Sequence, residues 1–161
     1  MSSQEVKKIK EFFSKLELHP KYLEHKAVIT SEDASKLMQI TLKQGIKAIL
    51  FTDTKNNWIV VDIPADKRVD EKKVAALLEW SKNKIRMATP EEVIEKTGCE
   101  IGAVPPFGHK ELIPILVDQK VYENEESAFN IGLRTVSVKI PTKEMKIVFE
   151  KSQAREGNFT K

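Results

Sequence analysis

The sequence has a single cysteine, Cys99, among its 161 residues, and it therefore cannot form an internal disulfide. It has no apolar run near the roughly 18 residues that span a bilayer. Its N-terminus has no apolar core followed by small residues, which is the pattern of a secretory signal. These absences argue against a disulfide-stapled secreted domain and a membrane-spanning protein, and they predict a cytoplasmic location.

No internal repeat, low-complexity segment or linker divides the sequence, and a hydrophobic content of 40% is sufficient for one core. We therefore expect one domain over residues 1–150, followed by a polar C-terminal tail at 151–161 that frays. A large excess of one charge is also absent, since 27 Lys and Arg residues stand against 24 Asp and Glu residues. The net charge of +3 permits contact with nucleic acid without requiring it.

Hydrophobic spacing and capping residues predict four helices. The first covers residues 3–17, and the second begins at Thr30 and ends at Gly45. The second helix is expected to bury four apolar side chains, Ala34, Leu37, Met38 and Leu42. Asp70 is expected to cap the third helix, and a Thr-Pro pair starts a fourth helix that Gly98 ends.

Two near-continuous apolar runs, IKAILFTD and WIVVDIP, flank the turn-rich TKNN and predict a hairpin that is covered on both faces. Further strands are predicted from IRMA, LIPILVD, RTVSVKI and KIVFE, with a turn or short helix at PTKEM. These strands and helices interleave without the regular alternation of a doubly wound fold. The expected fold class is therefore mixed α+β, a single domain with a curved, barrel-like mixed sheet and peripheral helices.

The most unusual stretch is TGCEIGAVPPFGHKELIPILVD, residues 97–118, in which a loop rich in glycine and proline runs into an apolar strand. Its spacing does not match a phosphate-binding loop, and Glu111 stands where that loop needs a hydroxyl. Pro105 and Pro106 have no backbone N–H to donate. The loop is thus richer in acceptors than in donors, and it suits an ammonium group or a water better than a phosphate. The alternative interpretation is a rigid connector between a helix and a strand.

Lys47 stands at the start of an apolar run, in the segment GIKAILF. An ionised lysine in such a strand either points to solvent or lines a pocket where its charge has a partner. The residue alone does not decide between these two interpretations.

Two other kinds of site have little support in the sequence. Cys99 and His109 are a thiol and an imidazole in one loop, but nothing fixes their geometry as a nucleophile and its base. The three histidines, His19, His25 and His109, together with Cys99, lack any recognised metal-ligand spacing. We therefore expect neither covalent catalysis by the cysteine nor a bound metal ion.

The order of three segments, LEHKAVITSEDASKL, QGIKAILF and TGCEIGAVPPFGHKELIPILVD, resembles the YbaK/prolyl-tRNA-synthetase-associated domain family, the aminoacyl-tRNA deacylases that edit mischarged tRNA. The resemblance covers about residues 20–150. Its most specific parts are a lysine that opens a core strand, here Lys47, and a G-x-x-x-P loop, here Gly102 to Pro106. The aspartate that ends the next strand, Asp118, agrees as well.

The resemblance implies hydrolysis of the ester that joins an amino acid to the 3′ end of tRNA, on a compact mixed α/β fold. It implies catalytic roles for Lys47 and Gly102, with the lysine balancing oxyanion or phosphate charge. Substrate-binding roles are implied for Ala103, Val104, Pro105, Pro106, Phe107, Gly108 and Asn130. The family implies no metal ion and no organic cofactor. Because the sequence offers no convincing side-chain base, the free hydroxyls of the terminal adenosine are expected to help activate the water.

Three positions depart from the family pattern. Leu23 precedes the EH pair where cysteinyl-specific relatives carry tyrosine, and Ala48 follows the lysine where several branches carry Asn or Thr. The late histidine of alanyl-specific relatives has Asn130 as its only comparable polar counterpart here. These departures leave open which amino acid is removed.

Two functions remain on this basis. The leading hypothesis is a trans-editing hydrolase that removes a small amino acid, such as Ala, Cys or Ser, from tRNA, with tRNA-Pro as one option. Its partners would be aminoacyl-tRNA and, as a further option, an aminoacyl-tRNA synthetase, with no membrane involved. The alternative is a non-catalytic tRNA- or synthetase-binding module of the same fold. Contact with tRNA is expected to be electrostatic, through residues such as Lys110 and Arg134.

Overall fold

Two β-sheets form the centre of the computed structural model, which describes residues 2–27 and 31–161. The helices in these ranges are α1 (Ser2–Lys15), α2 (Ser31–Met38), α3 (Glu71–Leu78), α4 (Pro90–Thr97) and α5 (Thr142–Lys151). The strands are β1 (Lys21–Glu24), β2 (Ile46–Thr52), β3 (Trp58–Pro64), β4 (Arg86–Met87), β5 (Ile115–Asp118), β6 (Glu126–Asn130), β7 (Val136–Pro141) and β8 (Arg155–Gly157). Among the described helices, none has the length and apolar character that crossing a membrane requires.

The two sheets are separate and open. The smaller has the strand order β1-β7-β6 and is antiparallel, whereas the larger has the order β4-β2-β3-β5-β8, with β5 parallel to both β3 and β8. A single bridge between Gly45 and Ala128 links them in the described part of the chain. The mixed α/β class is therefore confirmed, but the expected barrel-like sheet is not, because neither sheet closes on itself.

The central hairpin agrees with the prediction. Strands β2 and β3 pair antiparallel, with Lys47 opposite Ile63 and Ala48 opposite Asp62. Apolar side chains cover both faces, since Leu50 and Val60 belong to one buried cluster and Phe51 belongs to the other. This double coverage explains the near-continuous apolar character of the two runs.

The predicted caps of α3 and α4 are present. The Asp70 side chain accepts hydrogen bonds from the backbone N–H groups of Lys72 and Lys73 at the start of α3. Thr89 and Glu92 form a reciprocal capping box at the start of α4, and Gly98 ends this helix with a φ of 77°. The helix end matters for the site because the glycine-rich loop begins directly after it.

Helix α1 covers the predicted range to within two residues at its C-terminal end and packs beneath the glycine-rich loop. The rings of Phe12 and Phe13 lie 5.4 and 5.5 Å from the ring of Phe107, measured between centroids. The Lys8 ammonium donates a 2.8 Å hydrogen bond to the His109 carbonyl. The loop therefore has a fixed apolar support on the side that faces the core.

Three local predictions are wrong. The second helix ends at Met38, with a separate 3₁₀ turn at Leu42–Gln44, and Leu37 is 49% exposed rather than buried. The predicted helix start at Thr30 lies outside the described residues. The segment KIVFE is part of α5 and not a strand, because Met145, Val148 and Phe149 recur at helical spacing and are all buried.

The polar C-terminal segment is also ordered, contrary to the expected fraying. Its strand β8 pairs with β5, and Phe159 and Thr160 after it are buried. The Phe159 N–H donates a 2.8 Å hydrogen bond to the Asp118 carboxylate. Backbone pairing and one aromatic anchor thus hold a segment whose composition alone predicts a mobile end.

One carboxyl group in the core has no hydrogen-bond partner among the described residues. Asp62 is completely buried on β3, and neither oxygen of its side chain is bonded. Burial raises the pKa of this carboxyl group well above its usual range, because the charged form loses its hydration. Asp62 therefore keeps its proton in the folded protein at pH values where an unfolded chain releases it.

We expect Asp62→Asn to remove part of the pH dependence of stability. In the parent, the folded state binds more protons than the unfolded state above about pH 4, so the free energy of unfolding falls as the pH rises from there to the folded-state pKa. The amide cannot ionise, so the variant should be similar to the parent at pH 4 and more stable at pH 7. Urea unfolding at both pH values measures the difference.

Asp118→Asn is the matched control for this experiment. Asp118 is also completely buried, but its oxygens accept hydrogen bonds from the Lys120 and Phe159 N–H groups. The amide keeps one accepting oxygen but has a nitrogen in place of the other, so one of the two bonds is lost and this variant should be less stable than the parent at pH 7. An unchanged pH slope in Asp62→Asn would contradict a protonated Asp62.

Candidate active site

A cavity of about 210 Å³ opens beside β2. Its walls come from α2, β2, the end of β6 and the loop after α4. The wall is mostly apolar, and its polar side chains in the described residues are Ser35, Lys47 and Asn130. None of the described wall residues is Asp, Glu, His or Cys. The wall therefore offers one cation and two neutral polar side chains, but no side-chain carboxylate or imidazole.

Lys47 is the cation in this wall. It is half-buried on β2 and forms no ion pair with the described residues. Burial lowers the pKa of its ammonium group, the nearby charge of Arg68 lowers it further, and Asp66 partly offsets both. Such an ammonium group is incompletely hydrated and unneutralised, so a negative charge in the cavity would stabilise it.

The glycine-rich loop forms another part of the wall, and hydrogen bonds to its carbonyl groups brace it. Gly102 has a φ of 85°, a conformation that favours glycine. The carbonyls of residues 101, 102 and 103 accept hydrogen bonds from the side chain of Arg134 at 2.7 Å, the side chain of Asn130 at 3.0 Å and the N–H of Gly132 at 2.9 Å. Each carbonyl oxygen has a second lone pair. These hydrogen bonds therefore fix the direction of the carbonyl and leave one lone pair free to accept another hydrogen bond.

Two further residues extend this bracing: Ser137 was not predicted as a site residue, and His25 was considered only among possible metal ligands. Ser137 donates a 2.6 Å hydrogen bond to Asn130 Oδ1, and His25 Nε2 lies 2.7 Å from Ser137 Oγ. His25 Nδ1 in turn lies 2.7 Å from the Lys26 carbonyl. A line of hydrogen bonds therefore runs from the end of β1 to Gly102. The EH pair in the sequence marks His25, whereas Ser137 reads as an ordinary strand residue.

A protein-family comparison matches residues 25–147 of the chain to the family described as the aminoacyl-tRNA editing domain. The match covers well over half of the chain, including Lys47, the glycine-rich loop, Asn130 and Ser137. The chain belongs to this family. The resemblance seen in the sequence is thus confirmed at the level of the family.

Relatives of the editing domain include proteins that act in tRNA charging and its correction. The multifunctional Ser/Thr-tRNA deacylase ProXp-y of Escherichia coli (strain K12) is 31% identical over 122 residues, which cover 73% of this chain and 72% of that protein. The proline-tRNA ligase of Geobacillus sp. (strain WCH70) is 30% identical over 112 residues, which cover 65% of this chain but 19% of the ligase. The chain thus resembles a separate deacylase over most of its length and a ligase over one segment.

A solved structure shares the fold of this editing domain. It is a candidate trans-editing enzyme for prolyl-tRNA synthetase, with a TM-score of 0.83, and the two chains cover each other over 98% and 97% of their lengths. The sequence identity is 24%, so this likeness shows the fold alone.

Only part of the residue set implied by the resemblance lines the cavity of the editing domain. Lys47, Gly102, Val104 and Asn130 are in its wall. Ala103, Pro105, Pro106 and Phe107 are buried behind the wall, and Gly108 lies on the other side of the loop, near Ile9 of α1. The structure thus brings together the lysine, the loop glycine and the asparagine, whereas the remaining loop residues support the loop.

The remaining candidates lie outside the cavity wall. Cys99 is completely buried, and burial raises the pKa of its thiol to about 12, which leaves no thiolate near neutral pH. Burial lowers the pKa of His109 to about 4, and this ring bonds the Pro105 carbonyl at 2.7 Å. Lys110 is exposed, and Arg134 pairs with Glu100 at 3.1 Å. Cys99 and His109 are therefore core residues.

Proposed function

We propose that this editing domain is an aminoacyl-tRNA deacylase that hydrolyses the ester of mischarged tRNA in trans, in the cytoplasm. The supporting observation is that an unneutralised ammonium, Lys47, and a rigid loop, at Gly102, line one cavity of about 210 Å³. The substrate end carries an α-ammonium, an ester carbonyl and a ribose beside a phosphate. The cavity offers a positive group for the developing oxyanion and carbonyl acceptors for the ammonium or the water.

The reaction divides these groups into two roles. Water adds to the ester carbonyl carbon, whose oxygen becomes an oxyanion, and Lys47 stabilises that charge. The bond from the carbon to the ribose oxygen then breaks, and the ribose oxygen leaves as a hydroxyl with the proton that the attacking water has lost. The Gly102 carbonyl orients the substrate ammonium or the attacking water through the lone pair that Asn130 does not use.

The activation of water has no obvious protein base. The described wall contains no carboxylate, imidazole or thiol, so the free hydroxyl of the terminal ribose is our candidate for the group that directs the water. Substrate carrying a 2′- or 3′-deoxyadenosine end, with the amino acid on the remaining hydroxyl, should therefore react much more slowly than the normal substrate. Single-turnover hydrolysis compares the two.

A small amino acid, such as Ala, Cys or Ser, is the group that we propose is removed. A synthetase pocket rejects a smaller side chain by only about 10–200-fold per methylene, so a second site with its own selectivity is needed. The relative from Escherichia coli is named for serine and threonine, and several relatives are proline-tRNA ligases. Mischarged tRNA-Pro is therefore the first carrier to test, and a prolyl-tRNA synthetase is the first partner.

The decisive experiment is deacylation of a panel of tRNAs charged with Ala, Cys, Ser, Thr and Pro. We expect hydrolysis of at least one small amino acid and little hydrolysis of correctly charged Pro-tRNA. If the protein binds these tRNAs but hydrolyses none of them, the deacylase hypothesis is wrong and the non-catalytic binding module is favoured. Uncharged tRNA in the same buffer controls for binding alone.

Binding of tRNA should depend strongly on salt. The net charge of the chain is only +3, and surface basic groups, such as Arg68 near Lys47 and the exposed Lys110, would act on phosphates without reading sequence. If three phosphates are contacted, affinity should fall by roughly 20-fold between 50 and 200 mM salt, on a slope of about −0.7 per contact. Fluorescence anisotropy with labelled tRNA measures this slope. A salt-independent affinity would contradict electrostatic binding.

A further inference from the structure

The hydrogen bonds between His25 and Gly102 have a fixed direction. The acceptor at the loop end is the Gly102 carbonyl, so Asn130 must present its NH₂ group there and its oxygen to Ser137. The single proton of the Ser137 hydroxyl then goes to Asn130, and Ser137 Oγ accepts from His25 Nε2. His25 Nδ1 faces the Lys26 carbonyl, which is also an acceptor. The hydrogen bonds thus run in one sense, from His25 through Ser137 and Asn130 to the Gly102 carbonyl.

This direction determines which end of the Asn130 amide faces the loop. The amide is nearly symmetric in shape, so packing does not distinguish its oxygen from its nitrogen. With the amide reversed, the Asn130 oxygen would oppose the Gly102 carbonyl, whereas the hydrogen bond that Ser137 donates to Asn130 Oδ1 keeps this oxygen on the side away from the loop. Ser137 is completely buried in β7, so water does not replace its hydroxyl group. Ser137 therefore controls a donor that lies in the cavity wall.

We propose that Ser137 and His25 are positioning residues of the deacylase, which hold Asn130 so that its NH₂ group directs the Gly102 carbonyl at the cavity. The proposal rests on the deacylase function above and adds two residues that have no contact with the cavity. Asn130 and Gly102 are wall residues, whereas Ser137 and His25 act only through Asn130. The substrate atom concerned is the α-ammonium or the water that the Gly102 carbonyl receives.

Ser137→Ala tests the proposal, with Ser127→Ala as its matched control. Both serines are buried in the smaller sheet, and Ser127 bonds Thr142 at 2.8 Å without contact to the network. Both variants lose one buried hydroxyl, so similar losses of stability are expected. Ser137→Ala should lower the single-turnover rate roughly 10-fold with little change in tRNA affinity, as expected for one hydrogen bond that orients the reaction. Ser127→Ala should keep the parent rate.

A double-mutant cycle shows whether the residues act as one unit. If Ser137 works only through Asn130, the variant Asn130→Ala/Ser137→Ala should be no slower than Asn130→Ala alone. His25→Ala should slow the reaction in the same sense as Ser137→Ala and should also add nothing to Asn130→Ala. Rate losses that multiply in the double variants would overturn the proposal.

A spectroscopic measurement separates this proposal from the proposed function. In the parent, the side-chain NH₂ resonances of Asn130, assigned from their loss in Asn130→Ala, should be protected from hydrogen exchange. Ser137→Ala should remove that protection, and Ser127→Ala should not. Unchanged protection in Ser137→Ala would overturn the positioning role even in an active enzyme. If the parent shows the expected protection but hydrolyses no charged tRNA, the proposed deacylase function is wrong. The network would then exist without a role in catalysis.

Discussion

Replacing Lys47 with alanine should lower hydrolysis of the charged tRNA by roughly 10²–10³-fold, the usual cost of removing one donor to an oxyanion. The fold should survive, because the ammonium has no ion-pair partner among the described residues and its removal relieves an unfavourable desolvation. Single-turnover hydrolysis measures the chemical step, and circular dichroism checks the fold. A loss of tRNA affinity with an unchanged rate of the chemical step would mean that Lys47 contacts a tRNA phosphate and not the oxyanion.

Lys47→Arg should also be badly impaired. It keeps the charge but replaces a compact ammonium with a wide planar group in a half-buried position. The exposed Lys82 provides a control, since Lys82→Ala changes the net charge equally and lies outside the described cavity wall. Full activity in Lys47→Ala would refute the mechanism proposed here.

Adding a side chain at Gly102 should lower the hydrolysis rate by roughly 10²-fold, the cost that a misplacement near 1 Å has in an oriented reaction. The new atoms would lie at the cavity wall, beside the carbonyl that receives the substrate. Gly102→Ala is the milder variant, and Gly102→Val, with its branched side chain, should be worse. Both also carry a backbone cost, because the φ of 85° is unfavourable for residues with a Cβ atom.

Gly108→Ala separates the backbone cost from the effect on the cavity. Gly108 has a φ of 72°, and an added Cβ there would meet Ile9 Cγ1 at 3.5 Å, an ordinary contact distance. Both alanine variants should thus lose similar stability in urea unfolding. A rate loss in Gly102→Ala no greater than in Gly108→Ala would mean that the loop is only a connector.

Sequence patterns predicted the helices and strands that depend on local signals, such as caps and turns, or on a clear run of apolar residues. The β2–β3 hairpin follows from two apolar runs around a turn, and the ends of α4 follow from Thr89 with Pro90 and from Gly98. The strands β1, β6 and β8 were not predicted from the sequence. Strands β1 and β8 are short and mostly exposed, and each is held by backbone pairing to a distant strand, so its own side chains carry no alternation to detect. Strand β6 buries three consecutive residues, of which only Phe129 is large and apolar, so it lacks a strand pattern as well.

The candidate site divides in the same way. Lys47 and the glycine-rich loop stand out because a cation in an apolar strand and a loop with two adjacent prolines are unusual on their own. Ser137 is different, because a serine in a strand is common, and its role depends on pairing between β6 and β7 that places it opposite Asn130. Which loop residues line the cavity also depends on the packing of Phe107 against Phe12 and Phe13 of α1, which are far away in the sequence.

The position of β8 has a consequence for the synthesis of the chain. Strand β5 consists of four fully buried residues, and β8 covers one of its two edges. Because β8 follows every other described strand in the sequence, the N–H and C=O groups on that edge of β5 stay unpaired until residue 157 has emerged from the ribosome. An apolar strand with an open edge is a template for pairing with another chain. The pairing of Arg155–Gly157 with β5 thus closes an edge that, in a chain still being synthesised, is open to pairing with a neighbouring copy.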